Sequence, residues 1–298
     1  MDDKIVVKTV VKVSTVSIIS NIILSLLKLI AGIVGRSMAM LSDAIHSLSD
    51  VFSTIIVIIG VKMSKKEEDR DHQYGHDRME SLASLALGAI LFLTGALLLY
   101  EGIKKTYAGE DISTPGTVAL IAAVVSIVTK EGMYWYTKIA ADKIHSDALR
   151  ADAWHHRSDA LSSIGSLIGV AGAMLGVKIL DPVMAGVIGL VIIKVSYDIV
   201  KEAVDKMVDK ACDDETVRAM EELVLNVEGV EGLDLIKTRM FGTKMYVDIE
   251  ISADGNLLLK QSHEIAEAVH DNIEKQFADV KHCTVHVNPA GYEHKKLP

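Results

Sequence analysis

Cysteine is scarce in this chain: Cys212 and Cys283 are the only two among 298 residues. Both fall in the polar C-terminal part, and two scattered thiols make no disulfide framework, so a reducing compartment is expected. A basic excess is missing as well. Lys and Arg number 31 against 40 Asp and Glu, a formal net charge of −9, which leaves no basic stripe and argues against a nucleic-acid partner. No A-x-A-like exit follows the N-terminal Lys4, Lys8 and Lys12, and the apolar run behind them is long enough to span a bilayer, so no cleavable signal peptide is expected. The string H-E-x-x-H, which would place a zinc and a general base on one helix, does not occur.

What the chain does have is apolar length. Half of its residues are hydrophobic and its mean hydropathy is +0.31, a positive average that soluble proteins of this size rarely show. The charge is unevenly spread: residues 13–61 and 80–200 are mostly apolar, and residues 201–298 are acidic and polar. Six segments approach the ~20 residues that a spanning helix needs, at 13–34, 38–61, 81–103, 117–139, 151–175 and 179–200. Gly35-Arg36-Ser37 and Gly176-Val177-Lys178 read as tight turns, and Asp181-Pro182 opens the last segment. The fifth segment carries enough polar groups for a hydropathy scan to miss its first half. A membrane domain over 1–204 and a soluble domain over 205–298 are expected.

Orientation follows from lysine and arginine. The N-terminus, the loop with Lys62, Lys65, Lys66 and Arg70, the loop with Lys138, Lys143 and Arg150, and the segment with Lys201, Lys206 and Lys210 fall on one side. Arg36, Lys104, Lys105 and Lys178 fall on the other. The positive-inside rule then puts both termini in the cytoplasm.

After Val204 the pattern changes. Asp213-Asp214-Glu215-Thr216 starts a helix running to about Val227, with acidic residues at its positive end. Residues 233–239 and 244–251 alternate with the strand period around a turn at Phe241-Gly242-Thr243. A helix over 257–277 and a strand over 284–288 follow. The expected domain is α+β, of α-β-β-α-β order, with a three-stranded sheet whose open face and edge suit dimerisation.

One spacing stands out within the apolar part. His46-Ser47-Leu48-Ser49-Asp50 and His155-His156-Arg157-Ser158-Asp159 each place a histidine and an aspartate four residues apart, hence on one helix face. Brought together, two such faces offer two imidazole nitrogens and two carboxylates, a set suited to a tetrahedral divalent metal. A histidine–aspartate pair within one helix, or a polar water cavity, would explain a single copy. For two matched copies the metal reading prevails, because two buried carboxylates without a cation would be badly unstable. Small residues flank both copies and permit close helix approach. Asp43, Asp152 and His156 are candidates for a supporting shell or an access path, and Asp152 and His156 could equally be solvated near a helix entrance.

The charge count suggests exchange. Two aspartates and a bound M²⁺ sum to zero, so an emptied site must regain positive charge, and protons are the available source. A histidine must be neutral at its ligating nitrogen, so metal entry expels protons and proton entry expels metal.

The order of six spans and an α-β-β-α-β domain, with SDAIHSLSD, DHQYGHDRMESLASL and ADAWHHRSDALSS in sequence, resembles the cation diffusion facilitator family of divalent-metal/proton antiporters. The resemblance covers essentially the whole chain. It implies a homodimeric exporter with a cytoplasmic, metallochaperone-like C-terminal domain, and a transport site on the second and fifth helices at His46, Asp50, His155 and Asp159. Histidine at position 46 resembles the more zinc-selective members, whereas manganese carriers usually show a more oxygen-rich set.

The resemblance also implies a loop zinc site at Asp69, His72 and His76, which form D-x-x-H-x-x-x-H. By residue type alone these are equally a solvated loop, and three ligands leave the coordination incomplete. Glu80 suits the start of the third helix. Arg78 and Asp209 are implied as an ion pair where the two domains meet. In the soluble domain, His263 and His286 fall on ligand positions of a two-metal cluster, with His282 and Cys283 nearby. Asp234 and Glu250 stand where some members carry histidine, and Asn288 where some carry aspartate. These swaps favour a weaker or partly lost cluster, and a plain dimerisation module fits about as well. His294 is expected to lie in a disordered tail.

The expected activity is therefore Zn²⁺/H⁺ antiport out of the cytoplasm across a plasma membrane. The same mechanism with Fe²⁺, Cd²⁺, Co²⁺ or Mn²⁺ is the alternative. A metalloenzyme would need an open coordination position and a base, and a passive channel would need a weaker site.

Overall fold

The computed structural model describes residues 3–34, 38–108, 117–174 and 179–291. The tight turns expected at 35–37 and 176–178, and His294, lie outside the described residues. The chain divides between Val204 and Asp205 into two compact units.

The first unit is built from six long helices: α1 Asp3–Val34, α2 Met38–Ser64, α3 Arg78–Ala108, α4 Thr117–Ile144, α5 Asp147–Met174 and α6 Leu180–Met207. Among the described residues, α1, α2, α3 and α6 each contain a stretch long and apolar enough to cross a membrane. Charged residues punctuate the other two helices: Lys130, Glu131, Lys138, Asp142 and Lys143 on α4, and Asp147, Arg150, Asp152, Arg157 and Asp159 on α5. These two helices pack on each other, with α5 also against α2 and α3, and α4 against α1. Much of their charge is turned inward, with Lys130, Asp152 and Asp159 buried, as intramembrane charges require.

Small residues set the closest approaches. A side chain on Gly95 of α3 would bring its Cβ to 2.9 Å from the carbonyl oxygen of Gly189 on α6, and Gly102 stands in the same relation to Pro182 at 2.7 Å. Gly88, Gly95 and Gly102 recur every seven residues, so they share one face of α3. Backbone-close packing of this kind is how helices associate where lipid removes the usual hydrophobic drive. Elsewhere the interior is aliphatic, with Val57, Val61, Leu87, Ala141 and Leu149 in one cluster.

The second unit has the order α7 Asp214–Leu225, β1 Gly232–Phe241, β2 Lys244–Ala253, α8 Leu259–Gln276, β3 Val280–Pro289. Asp213 caps α7, accepting from the Thr216 backbone at 2.9 Å and its hydroxyl at 2.8 Å. Those bonds hold the Asp213 carboxyl below its ordinary pKa. β1 and β2 form an antiparallel hairpin, and Gly242 at φ 65° supplies the left-handed turn between them. β3 pairs parallel to β2, so the spatial order is β1-β2-β3. Both helices cover one face. Met220 and Val224 from α7 and Val269 and Ile273 from α8 meet Val247, Ile249, Ile251 and Cys283 from the sheet. Cys212 and Cys283 are both free and buried, and burial pushes the Cys283 thiol up to about 12.

Candidate metal centre

Asp50 projects from α2, and His155 and Asp159 project from α5 one turn apart. All three are buried, and each offers a ligand atom within 4.8 Å of the others. His155 Nε2 lies 3.2 Å from Asp50 Oδ1. The two helices thus deliver two carboxylates and an imidazole to one point, as the paired four-residue spacings require. His46 lies one turn before Asp50 on α2. The side chains of His46 and Asp43 fall outside the described residues.

A fourth group, not foreseen from the sequence, completes this cluster. Lys130 of α4 reaches between the carboxylates, its Nζ donating to Asp50 Oδ2 at 2.5 Å and to Asp159 Oδ2 at 2.8 Å. It is 2% exposed. The signal was present as a lysine inside the fourth apolar segment, 117–139, where an ionisable residue is itself a marker of function.

Asp152 and His156 form a second buried layer, 3.6 Å apart and both wholly inaccessible. Thr54 Oγ1 of α2 donates to Asp152 Oδ1 at 3.2 Å, which ties α5 to α2 one turn from Asp50 and His155. Neither ring nitrogen of His156 has a hydrogen-bond partner among the described residues. On α1, buried Lys28 donates from Nζ to Ser47 Oγ of α2 at 2.8 Å, and Ser25 donates to the Ala44 carbonyl at 2.7 Å. The stretch of α2 that carries His46 and Asp50 is therefore anchored to α1 by polar bonds.

The loop between α2 and α3 assembles a second cluster. Asp69, His72 and His76 again place one ligand atom each within 4.8 Å of the others. Asp69 Oδ1 accepts from the His72 backbone at 2.9 Å and lies 3.2 Å from its Nδ1. Asp69 Oδ2 lies 3.4 Å from His76 Nε2. Lys66 donates to Asp69 Oδ2 at 2.5 Å, and this bond is the largest cause holding the Asp69 carboxyl well below the usual range. The aspartate is therefore anionic at any physiological pH and ready to ligate a cation in place of Lys66. Glu80 sits in the first turn of α3.

In the second unit the predicted residues divide between layers. Glu250 and His286 are register partners across β2 and β3. They alternate with the core residues Ile249, Ile251, Val285 and Val287, so they face away from the helices. Asp234 occupies the irregularity between Leu233 and Leu235 in β1, where its Oδ2 accepts from Asn288 Nδ2 at 3.0 Å. His263 sits exposed on α8 with Glu267 at 4.0 Å. His282 Nδ1 lies 3.7 Å from Glu274, which His270 Nε2 approaches at 3.3 Å. Among the described residues of this single chain, no three of Asp234, Glu250, His263, His282 and His286 converge on one point. Arg78 opens α3 in the first unit, and Asp209 belongs to the second with a left-handed φ of 61°.

Comparison with known proteins matches this organisation. Residues 14–208 match the cation efflux transmembrane domain and residues 212–290 the cytoplasmic domain of cation efflux proteins. An uncharacterized transporter of Methanocaldococcus jannaschii is 37% identical over 91% of this chain and 95% of its own length. The manganese efflux system protein MneP of Bacillus subtilis is 32% identical over 93% of this chain and 95% of its own. Metal tolerance protein C1 of Arabidopsis thaliana is 31% identical over 94% of this chain and 62% of its own.

Proposed function

We propose that this chain, which belongs to the cation diffusion facilitator family of divalent metal efflux proteins, exports Zn²⁺ in exchange for protons through the α2–α5 site. The observation that carries the reading is the buried meeting of Asp50, His155 and Asp159. His46, one turn from Asp50, is the fourth ligand in this reading. Two nitrogens and two carboxylates form a closed tetrahedral set that suits zinc without committing the site to a softer or harder ion.

Unit 1, residues 1–204, carries transport, and unit 2, residues 205–298, dimerises and senses cytosolic metal through its open sheet face. The protein resides in the plasma membrane as a homodimer, and the distribution of Lys and Arg supports both termini being cytoplasmic. Asp152 and His156 line the approach to the site, and Asp43 supports it. Asp69, His72 and His76 hold a regulatory or structural zinc. A weakly held cluster of Asp234, Glu250, His263, His282 and His286 is completed between two copies, since one copy does not assemble it.

Manganese is the second cargo reading, favoured by a relative named as a manganese efflux protein at 32% identity. Proteoliposomes containing the purified chain and a zinc-sensitive dye test both readings. Saturable zinc uptake that rises when the dye side is made acid is the expected result, with manganese competing weakly. Manganese moving while zinc does not would transfer the same site to the other cargo. Zinc uptake indifferent to the pH gradient would remove proton exchange.

A further inference from the structure

Lys130 has no place in a four-ligand metal site, yet it occupies the middle of one. Its ammonium lies 2.5 Å from Asp50 Oδ2 and 2.8 Å from Asp159 Oδ2, so it sits where a cation bridging α2 and α5 would sit. A zinc ion bound through those carboxylates would lie about 2.0–2.2 Å from their oxygens. Two cations cannot share that point, because their repulsion is only weakly screened in a buried, low-dielectric setting. The lysine stands on a third helix, α4, separate from both ligand-bearing helices. Its four-carbon stem gives the ammonium a reach and freedom that a planar guanidinium lacks.

The geometry points to Lys130 as a tethered competitor of the cargo ion. It holds the carboxylates together when the site carries no metal, and it is displaced when metal enters. The inference rests on the α2–α5 site being the transport site. Its first consequence is thermodynamic. Metal binds only when the ammonium has withdrawn, so the apparent affinity is lowered by the fraction of time that the ligands are free. Its second is kinetic, since the returning ammonium helps to expel the ion and speeds release. Its third is structural. Two buried carboxylates would otherwise face each other uncompensated, and the lysine keeps the metal-free site from springing apart. A purely structural ion pair shares only the third consequence.

Two substitutions with opposite expected signs separate these cases. Zinc and manganese binding to the purified full-length chain are measured by calorimetry, together with thermal unfolding with and without metal. Lys130→Met removes the competitor and keeps the apolar stem. Zinc affinity is expected to rise about tenfold or more, as for a site occupied at least nine-tenths of the time by its competitor. Its metal-free form should melt lower, and the rise in melting temperature on adding zinc should exceed that of the wild type. Lys130→Arg retains the charge and grips carboxylates with a fork of donors, so zinc affinity is expected to fall. Unchanged affinity in a folded Lys130→Arg protein, or unchanged or weaker affinity in Lys130→Met, would reduce Lys130 to a structural ion pair. Should Lys130→Met fail to fold, the Lys130→Arg result decides alone. Asp159→Ala is the parallel control for the site itself. Loss of one zinc equivalent there, with the loop and soluble-unit sites still able to fill, upholds the site and leaves the lysine to be judged by its own variants. Full binding there would remove the site, and the role of Lys130 with it.

Discussion

Substituting either His155 by alanine or Asp159 by asparagine is expected to lower zinc flux through reconstituted protein by roughly a hundredfold or more. Helical content and oligomeric state should stay unchanged. Both residues are buried on one face of α5 and point at Asp50, so neither has an exposed surrogate nearby. Asparagine preserves the size of the side chain and can still accept from Lys130, which keeps Asp50 as its charged partner. The packing of α2, α4 and α5 therefore survives while the metal loses a charged oxygen. Alanine at position 155 removes an imidazole that meets Asp50 at 3.2 Å. The double variant should be little worse than either single one, because residues that act as one unit fail together. Wild-type flux in either variant, or independent and additive losses, would show that the two do not share a site.

Acidification is expected to produce the second large effect. A histidine ligates metal only when neutral at its donor nitrogen, and its ordinary pKa is about 6.5. Protons therefore bind the metal-free form, and affinity grows as pH rises through that range. Between pH 7.5 and 5.5 the zinc affinity should fall, by at most about tenfold per pH unit for each histidine that gives up a proton on binding, and more steeply if His46 shares the load. Equilibrium dialysis across this interval measures it, and the pH dependence should shrink in His155→Ala. A flat profile would mean that no imidazole ligates the ion.

Helix periodicity made the centre legible in the sequence. A four-residue spacing can be read without knowing the fold, and its repetition on two apolar segments specified the α2–α5 meeting before any contact was visible. The soluble unit was equally readable, because its alternating strands and capped helix are local signals. The pairing of β3 was not, since a parallel partner is distant in sequence. β3 also runs from Val280 to Pro289, beyond the 284–288 expected. Lys130 was overlooked for a different reason. Hydropathy averages one charge into a long apolar window, and only its placement between two carboxylates from other helices gives it meaning. The soluble-domain residues share an implied role but occupy two layers, with Glu250 and His286 on the open sheet face and His263 on α8. Sequence spacing carries no information about which layer a residue will join.

Cargo binding between α2 and α5 through Asp50, His155 and Asp159 is open to a single decisive measurement, anomalous scattering at the zinc edge from the zinc-loaded full-length protein. A zinc peak is expected among these three side chains, with carboxylate oxygens and imidazole nitrogen about 2.0–2.2 Å away and Lys130 displaced from the point it now occupies. Zinc found only at the Asp69–His72–His76 loop or in the soluble unit, with Lys130 still bridging the two aspartates, would contradict it.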